Sequence, residues 1–217
     1  MILNLTLLLK LNKIPGCRAA AGTLLCALLL GGAVQVQAQG PSTVNAADIG
    51  INDAREALRK KDRGRLAAAR TTVNAVNHPL AMWVDYWELS NRLGEVQQAE
   101  VTTFSTRWPG SYVEDRLRND WLLELGKRRD WANFAAEFPR FRMNDDREVT
   151  CYALLVDHLA GKDVREAALN SWLAQRDADD GCALMAATLY GANQFTADDV
   201  WRKARFAIDA KIGRAHV

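Results

Sequence analysis

Apolar residues return every three or four positions from residue 48 to residue 210, and no useful length of chain alternates with period two. That rhythm predicts ten helices, near Asp48–Lys61, Arg65–Val76, Pro79–Leu93, Glu95–Arg107, Ser111–Arg128, Asp130–Phe138, Arg147–Ala160, Val164–Gln175, Ala178–Tyr190 and Ala197–Ala210. The links between them are short and rich in breakers, such as Asp62-Arg63-Gly64, Trp108-Pro109-Gly110 and Gly161-Lys162-Asp163. Short links make successive helices antiparallel neighbours. Helix pairs recurring roughly every 30–40 residues are the mark of an α-solenoid. No strict repeat consensus is present, so the expected fold is all-α, a degenerate superhelix of antiparallel helix pairs.

Two segments carry the packing logic. In Pro79–Leu93, Leu80, Trp83, Val84 and Trp87 form one apolar stripe, with Asp85, Glu88 and Asn91 expected to face away. In Ser111–Phe138, Val113, Leu117, Trp121 and Leu125 share a face. Gly126 suits a turn there, with Lys127, Arg128 and Arg129 at the negative end of the helix dipole. Asp130 can cap a second, shorter helix bearing Trp131, Phe134 and Phe138, which Pro139 stops. This hairpin has much to bury and almost nothing with which to do chemistry.

The chain of 217 residues carries a formal charge of +2, but its two ends distort that figure. Residues 1–38 contain Lys10, Lys13 and Arg18 with no acid, then the apolar run Thr23–Val34 and the small residues of Val36-Gln37-Ala38. This is the layout of an export signal cleaved after Ala38, and the apolar run is too short to span a bilayer. Residues 39–47 read as a polar linker and residues 48–211 as the helical domain. Ile212 to Val217 is what a common sequencing adapter encodes, so the expectation is a truncated chain whose native gene continues past Lys211. Setting aside the three leader cations and Arg214 leaves 24 basic and 26 acidic residues, a nearly neutral body with no argument for nucleic acid.

Cys17 and Cys26 fall in the leader, leaving Cys151 and Cys182. In an oxidising compartment the favoured reading is a disulfide worth about 3 kcal/mol. Two buried thiols on adjacent helices are the other reading. No CxxC occurs, and His158 is out of line with Cys151, which speaks against a metal site. The doublets Asp145-Asp146, Asp179-Asp180 and Asp198-Asp199 invite a glycosidase reading, yet each opens a predicted helix, where aspartates cap. His78 precedes Pro79 in a loop, and no serine or cysteine completes a triad. The seven tryptophans fit packing better than sugar stacking, and the cations at 127–129 and 140–142 read as isolated surface charges. No catalytic, cofactor or metal residue is assigned.

His78-Pro79-Leu80 leading into Tyr86, Arg116-Leu117 through Leu123-Glu124-Leu125, and Arg128-Arg129-Asp130-Trp131 follow one another in order. Cys151-Tyr152, Gly161, Trp172-Leu173 and Cys182 continue the series. In these residues the chain resembles the N-terminal superhelical domain of the large soluble lytic transglycosylases of Gram-negative bacteria, over roughly Asp48 to Lys211. The resemblance implies a periplasmic enzyme that cleaves MurNAc–GlcNAc bonds of peptidoglycan to 1,6-anhydro ends, using a glutamate in a lysozyme-like C-terminal domain. The helical part would be a non-catalytic scaffold, with glycan strands engaged by that missing domain and cell-wall proteins as further partners. The Glu-Ser and Gly-Leu-Met-Gln motifs of the catalytic domain do not occur here, so the chain as given is expected to be inert. The alternative is a free-standing periplasmic helical-repeat module that binds proteins.

Overall fold

The computed structural model describes residues 46–215, with side chains over 48–209. The proposed leader, its cleavage point at Ala38 and the linker up to residue 45 lie outside the described residues. Ten α-helices and two 3-10 turns are present, and no strand occurs among the described residues. The helices are α1 (Ala46–Lys60), α2 (Arg63–Ala75), α3 (Ala81–Asn91), α4 (Gln98–Arg107), α5 (Tyr112–Arg128), α6 (Trp131–Glu137), α7 (Arg147–Leu159), α8 (Arg165–Ala174), α9 (Asp180–Gly191) and α10 (Ala197–Ala215). The fold is all-α, and each predicted helix has its counterpart.

The boundaries follow the caps. Asp62, Ser111, Asp130, Asp146 and Asp179 each accept a backbone N–H from the first turn of α2, α5, α6, α7 and α9. Helix α4 starts at Gln98 rather than Glu95, because Leu93–Glu95 forms a 3-10 turn and Glu100 accepts the Gln97 N–H at 3.0 Å. Helix α10 extends to Ala215, past the predicted end at Ala210.

Packing runs along the chain. Helix α1 lies on α2 and α3, α2 on α3, and α3 on α5. Helix α5 meets α4, α6 and α7, while α7, α8 and α9 pack on one another and α10 lies on α8. Ile51, Ala54, Leu66, Val73 and Val84 fill the core at the α1–α3 end. A larger core gathers on α5, whose Val113, Leu117, Trp121, Leu122 and Leu125 are buried with Phe104, Phe134 and Tyr152. Leu155, Met185, Leu189 and Phe195 fill the third, around α7–α9.

Gly126 is not the turn residue that the sequence suggested. It lies inside α5, and the left-handed cap position belongs to Arg129, with φ 60°. What Gly126 supplies is space: a Cβ there would stand 2.4 Å from Cε2 of Tyr152. Gly181 does the same on α9, where a Cβ would meet Cγ of Glu148 at 2.8 Å and Cδ2 of Tyr152 at 3.1 Å. The Tyr152 ring therefore sits where α5 and α9 present no side chain. Cys151 and Cys182 form a disulfide between α7 and α9, with both residues fully buried.

Two stability outcomes follow. Gly126→Ala should destabilise the protein by about 1–3 kcal/mol through overpacking against Tyr152, read as a lower urea midpoint with an unchanged slope. Reducing the Cys151–Cys182 bond should cost about 3 kcal/mol, read as a lower melting temperature in excess reductant; an unmoved transition would remove the bond from the stabilising interactions.

Candidate functional site

The chemistry-bearing residues are almost all consumed by the fold. Asp85 was expected on the outer face of its helix, yet it is buried in α3. It accepts from Arg70 Nε at 2.7 Å and Asn74 Nδ2 at 2.9 Å on α2, and from Trp108 Nε1 at 3.0 Å after α4. Arg107 pairs with its second oxygen at 3.0 Å. The expected stripe is turned accordingly: Val84 is buried, Leu80 is exposed, and Trp83 and Trp87 are half-buried beside Tyr86. Trp83 stands 6.0 Å from Tyr86, 6.4 Å from Trp87 and 6.1 Å from Tyr112 on α5. The convergence of four donors on one buried carboxylate sets α3 in an orientation that leaves Trp83 and Trp87 half-buried.

A charged cleft of about 240 Å³ lies beside Asp85, walled by Arg70, Arg92 and Arg107 with Glu88 and Glu100. Arg92 pairs with both glutamates at 2.6 Å. Its cations and carboxylates therefore answer one another, and hydrogen bonding to Arg92 holds the Glu100 carboxyl below its usual range. The arrangement stiffens α2–α4 and leaves little net charge for a ligand.

A second polar interior centres on Arg118 of α5. Its guanidinium meets Glu114 at 2.8 Å, Asp115 at 3.4 Å and Glu137 at 3.3 Å, all largely buried. Asp115 also accepts the backbone N–H groups of Arg142 at 3.0 Å and Met143 at 2.7 Å, which ties down the chain entering α7. Gln98 completes the network, donating to Glu137 at 2.8 Å and accepting from Trp121 Nε1 at 2.7 Å. Trp121 is thus a core residue with its one donor satisfied, and not a sugar platform.

The basic clusters read from sequence as isolated cations are bracing elements. Arg128 pairs with Glu124 at 2.8 Å and donates to the carbonyls of Val96 and Leu93, and Arg129 pairs with Asp180 at 3.0 Å. Arg140 and Arg142 pair with Glu137 and Glu114.

The acidic doublets part company rather than converge. Asp146 and Asp179 are N-caps, Asp180 accepts from the Tyr152 hydroxyl at 2.7 Å, and Asp199 accepts from the N–H and hydroxyl of Thr196. That tyrosine hydrogen bond and Arg129 lower the Asp180 carboxyl, while burial raises Glu148. A raised and a lowered carboxyl side by side could suggest acid–base work. Here Glu148 accepts the Gly181 N–H at 3.2 Å and so holds α7 against α9. His78 accepts the Leu80 N–H on Nδ1 and reaches Asp48 through Nε2, leaving it a loop brace. His158 is half-buried on α7, and no metal-binding group of His, Cys, Asp and Glu occurs among the described residues. None of the described helices is long and apolar enough to cross a membrane.

Comparison with protein-family models, curated proteins and solved structures finds no match to this chain. Sequence reasoning missed Asp85 and Arg118 as interior charges. The one available signal was the density of arginines at 107, 140 and 142 near aromatic residues.

Asp85→Ala should cost about 3 kcal/mol, since it strands two guanidiniums and the Trp108 N–H. Arg70 and Arg107 can still reach solvent, which keeps the loss near the low end for a buried pair. Chemical denaturation of wild type and variant checks this; a loss within about 0.5 kcal/mol would reduce Asp85 to a surface charge.

Proposed function

We propose that this chain is the non-catalytic helical scaffold region of a periplasmic peptidoglycan lytic transglycosylase, with its helix pairs arranged as a solenoid. The observation that carries the reading is where the residues of the resemblance sit. Leu117, Leu125, Cys151, Tyr152 and Cys182 are buried, Arg129 and Trp131 lie against Tyr152, and Arg128 ties α5 to the carbonyls of Leu93 and Val96. These residues of the resemblance are thus joint residues, of the kind a scaffold needs. Packing between near neighbours in sequence is what an array of helix pairs requires. Several of the side chains weighed as catalysts, among them Asp146, Asp179, Asp180, Asp199 and His78, have structural partners instead, which agrees with chemistry supplied by another domain.

On this reading the protein is exported and its glycan contacts belong to the parent enzyme. The nucleotide sequence of the source locus tests it: an in-frame lysozyme-like domain is expected downstream of Lys211. A native stop codon there, with no such domain, would favour the free-standing protein-binding module. Incubation of the chain with purified sacculi should release no muropeptides. Release of 1,6-anhydromuropeptides by the chain alone would defeat the scaffold assignment.

A further inference from the structure

Half of the exposed large apolar side chains among the described residues lie on α9 and α10, the others being scattered singly over α1–α7 and their links. Tyr190 at the end of α9, and Val200, Trp201, Phe206 and Ile208 on α10, are 41–65% exposed. Tyr190, Val200 and Trp201 border an open groove of about 660 Å³ floored by Ala183, Ala186 and Ala187. The rotation of α10 about its own axis is fixed from the inside. Asp199 pairs with Arg165 at 3.1 Å, and Lys203 Nζ donates to the Gln175 carbonyl at 2.8 Å. Ala197, Trp201, Ala204 and Ile208 are consequently left along a neighbouring face, spaced four, three and four residues apart. That is the seam spacing of a two-stranded coiled coil.

The geometry points to a second copy of this chain as the occupant: we propose that the protein forms a two-fold dimer through antiparallel pairing of α10. The seam alternates small and large residues. An antiparallel partner centred between Arg202 and Lys203 sets Ala197 opposite Ile208 and Trp201 opposite Ala204, so every layer joins a small side chain to a large one. A parallel partner would stack Trp201 on Trp201 and leave Ala204 facing Ala204. Sliding the antiparallel pair by one heptad leaves only half of these small-with-large layers.

The flanking charges select the same arrangement. Asp198 and Arg205 occupy the equivalent position beside the seam, both are exposed, and neither has an ion-pair partner within the described residues. In the antiparallel pair Asp198 of each copy lies beside Arg205 of the other, giving two crossed ion pairs. On the opposite side of the seam, Val200 and Ala207 extend the apolar contact toward the groove and Tyr190. The symmetry closes, so the contact ends at two copies. This inference does not rest on the peptidoglycan reading.

Sedimentation equilibrium of the full chain tests it, with the melting temperature as a control for folding. Wild type should dimerise at micromolar concentration. Trp201→Glu should weaken the dimer by more than tenfold. Asp198→Arg sets like charges against each other and should weaken it by about tenfold; adding Arg205→Asp to the same chain should restore it. The side chains are exposed, so all three variants should melt close to wild type. Because the double swap reverses the defect of the single one, loss of folding cannot imitate the result. A wild type that stays monomeric at hundreds of micromolar overturns the proposal, as does association that ignores the charge swap.

Discussion

Helices α5, α7 and α9 come together around the ring of Tyr152, and that approach is open only because Gly126 and Gly181 have no side chains where the ring lies. Much of the central packing depends on this one steric condition. With the ring seated, its hydroxyl reaches Asp180 in the first turn of α9, and burial together with that hydrogen bond raises the phenol well above its usual range. Asp180 then pairs with Arg129, which keeps a non-glycine residue in the left-handed cap of α5 and sets the direction in which α6 departs. The Cys151–Cys182 bond joins α7 to α9 beside the same ring, from the residue before Tyr152 to the residue after Gly181. A methyl group at either glycine would push on the ring and, through it, on all of these contacts.

Interior charge is the second constraint, and it works differently. The ring notch fixes distance, whereas Asp85 and Arg118 fix orientation. A buried carboxylate that accepts from Arg70, Asn74, Arg107 and Trp108 permits one rotation of α3 against α2 and α4. Replacing a whole buried ion-pair network by apolar groups of similar volume is often neutral, although removing one partner is costly, so the net contribution of the network lies less in stability than in choosing one packing among several. The half-buried outer face of α3, with Trp83, Tyr86 and Trp87, is a consequence of that choice.

The helices, their order and most of their caps were legible in the sequence, because period and capping are local properties. Asp146 and Asp179 could be read as caps from position alone, and the cysteine pair from the even count left once residues 1–38 are set aside as a leader. Asp85 could not. Periodicity assigns every charge to the outside, and its four donors come from residues 70, 74, 107 and 108, which no window along the chain brings together. Gly126 was misread for a related reason. A glycine near the end of a helix is ordinarily a terminator, and only the position of Tyr152, 26 residues away, distinguishes a terminator from a notch. The arginines failed in the same manner, since a cation looks solvated until its carboxylate partner is placed.

Packing between near neighbours has a mechanical corollary. On the solenoid reading proposed above, stability is close to a sum of unit and interface contributions, so the weakest interface decides where the protein opens first. The disulfide spans α7 and α9 and thereby encloses α8, which has a single buried residue within its own length. Helix α8 therefore owes its place to its neighbours more than to its own core, and the covalent link prevents those neighbours from separating around it. Helix α10 has no such tie. It is held on α8 by Asp199, Lys203 and a few apolar contacts, while Trp201 and Ile208 remain in water. Covering that apolar face would add buried area to a helix for which the interior supplies little.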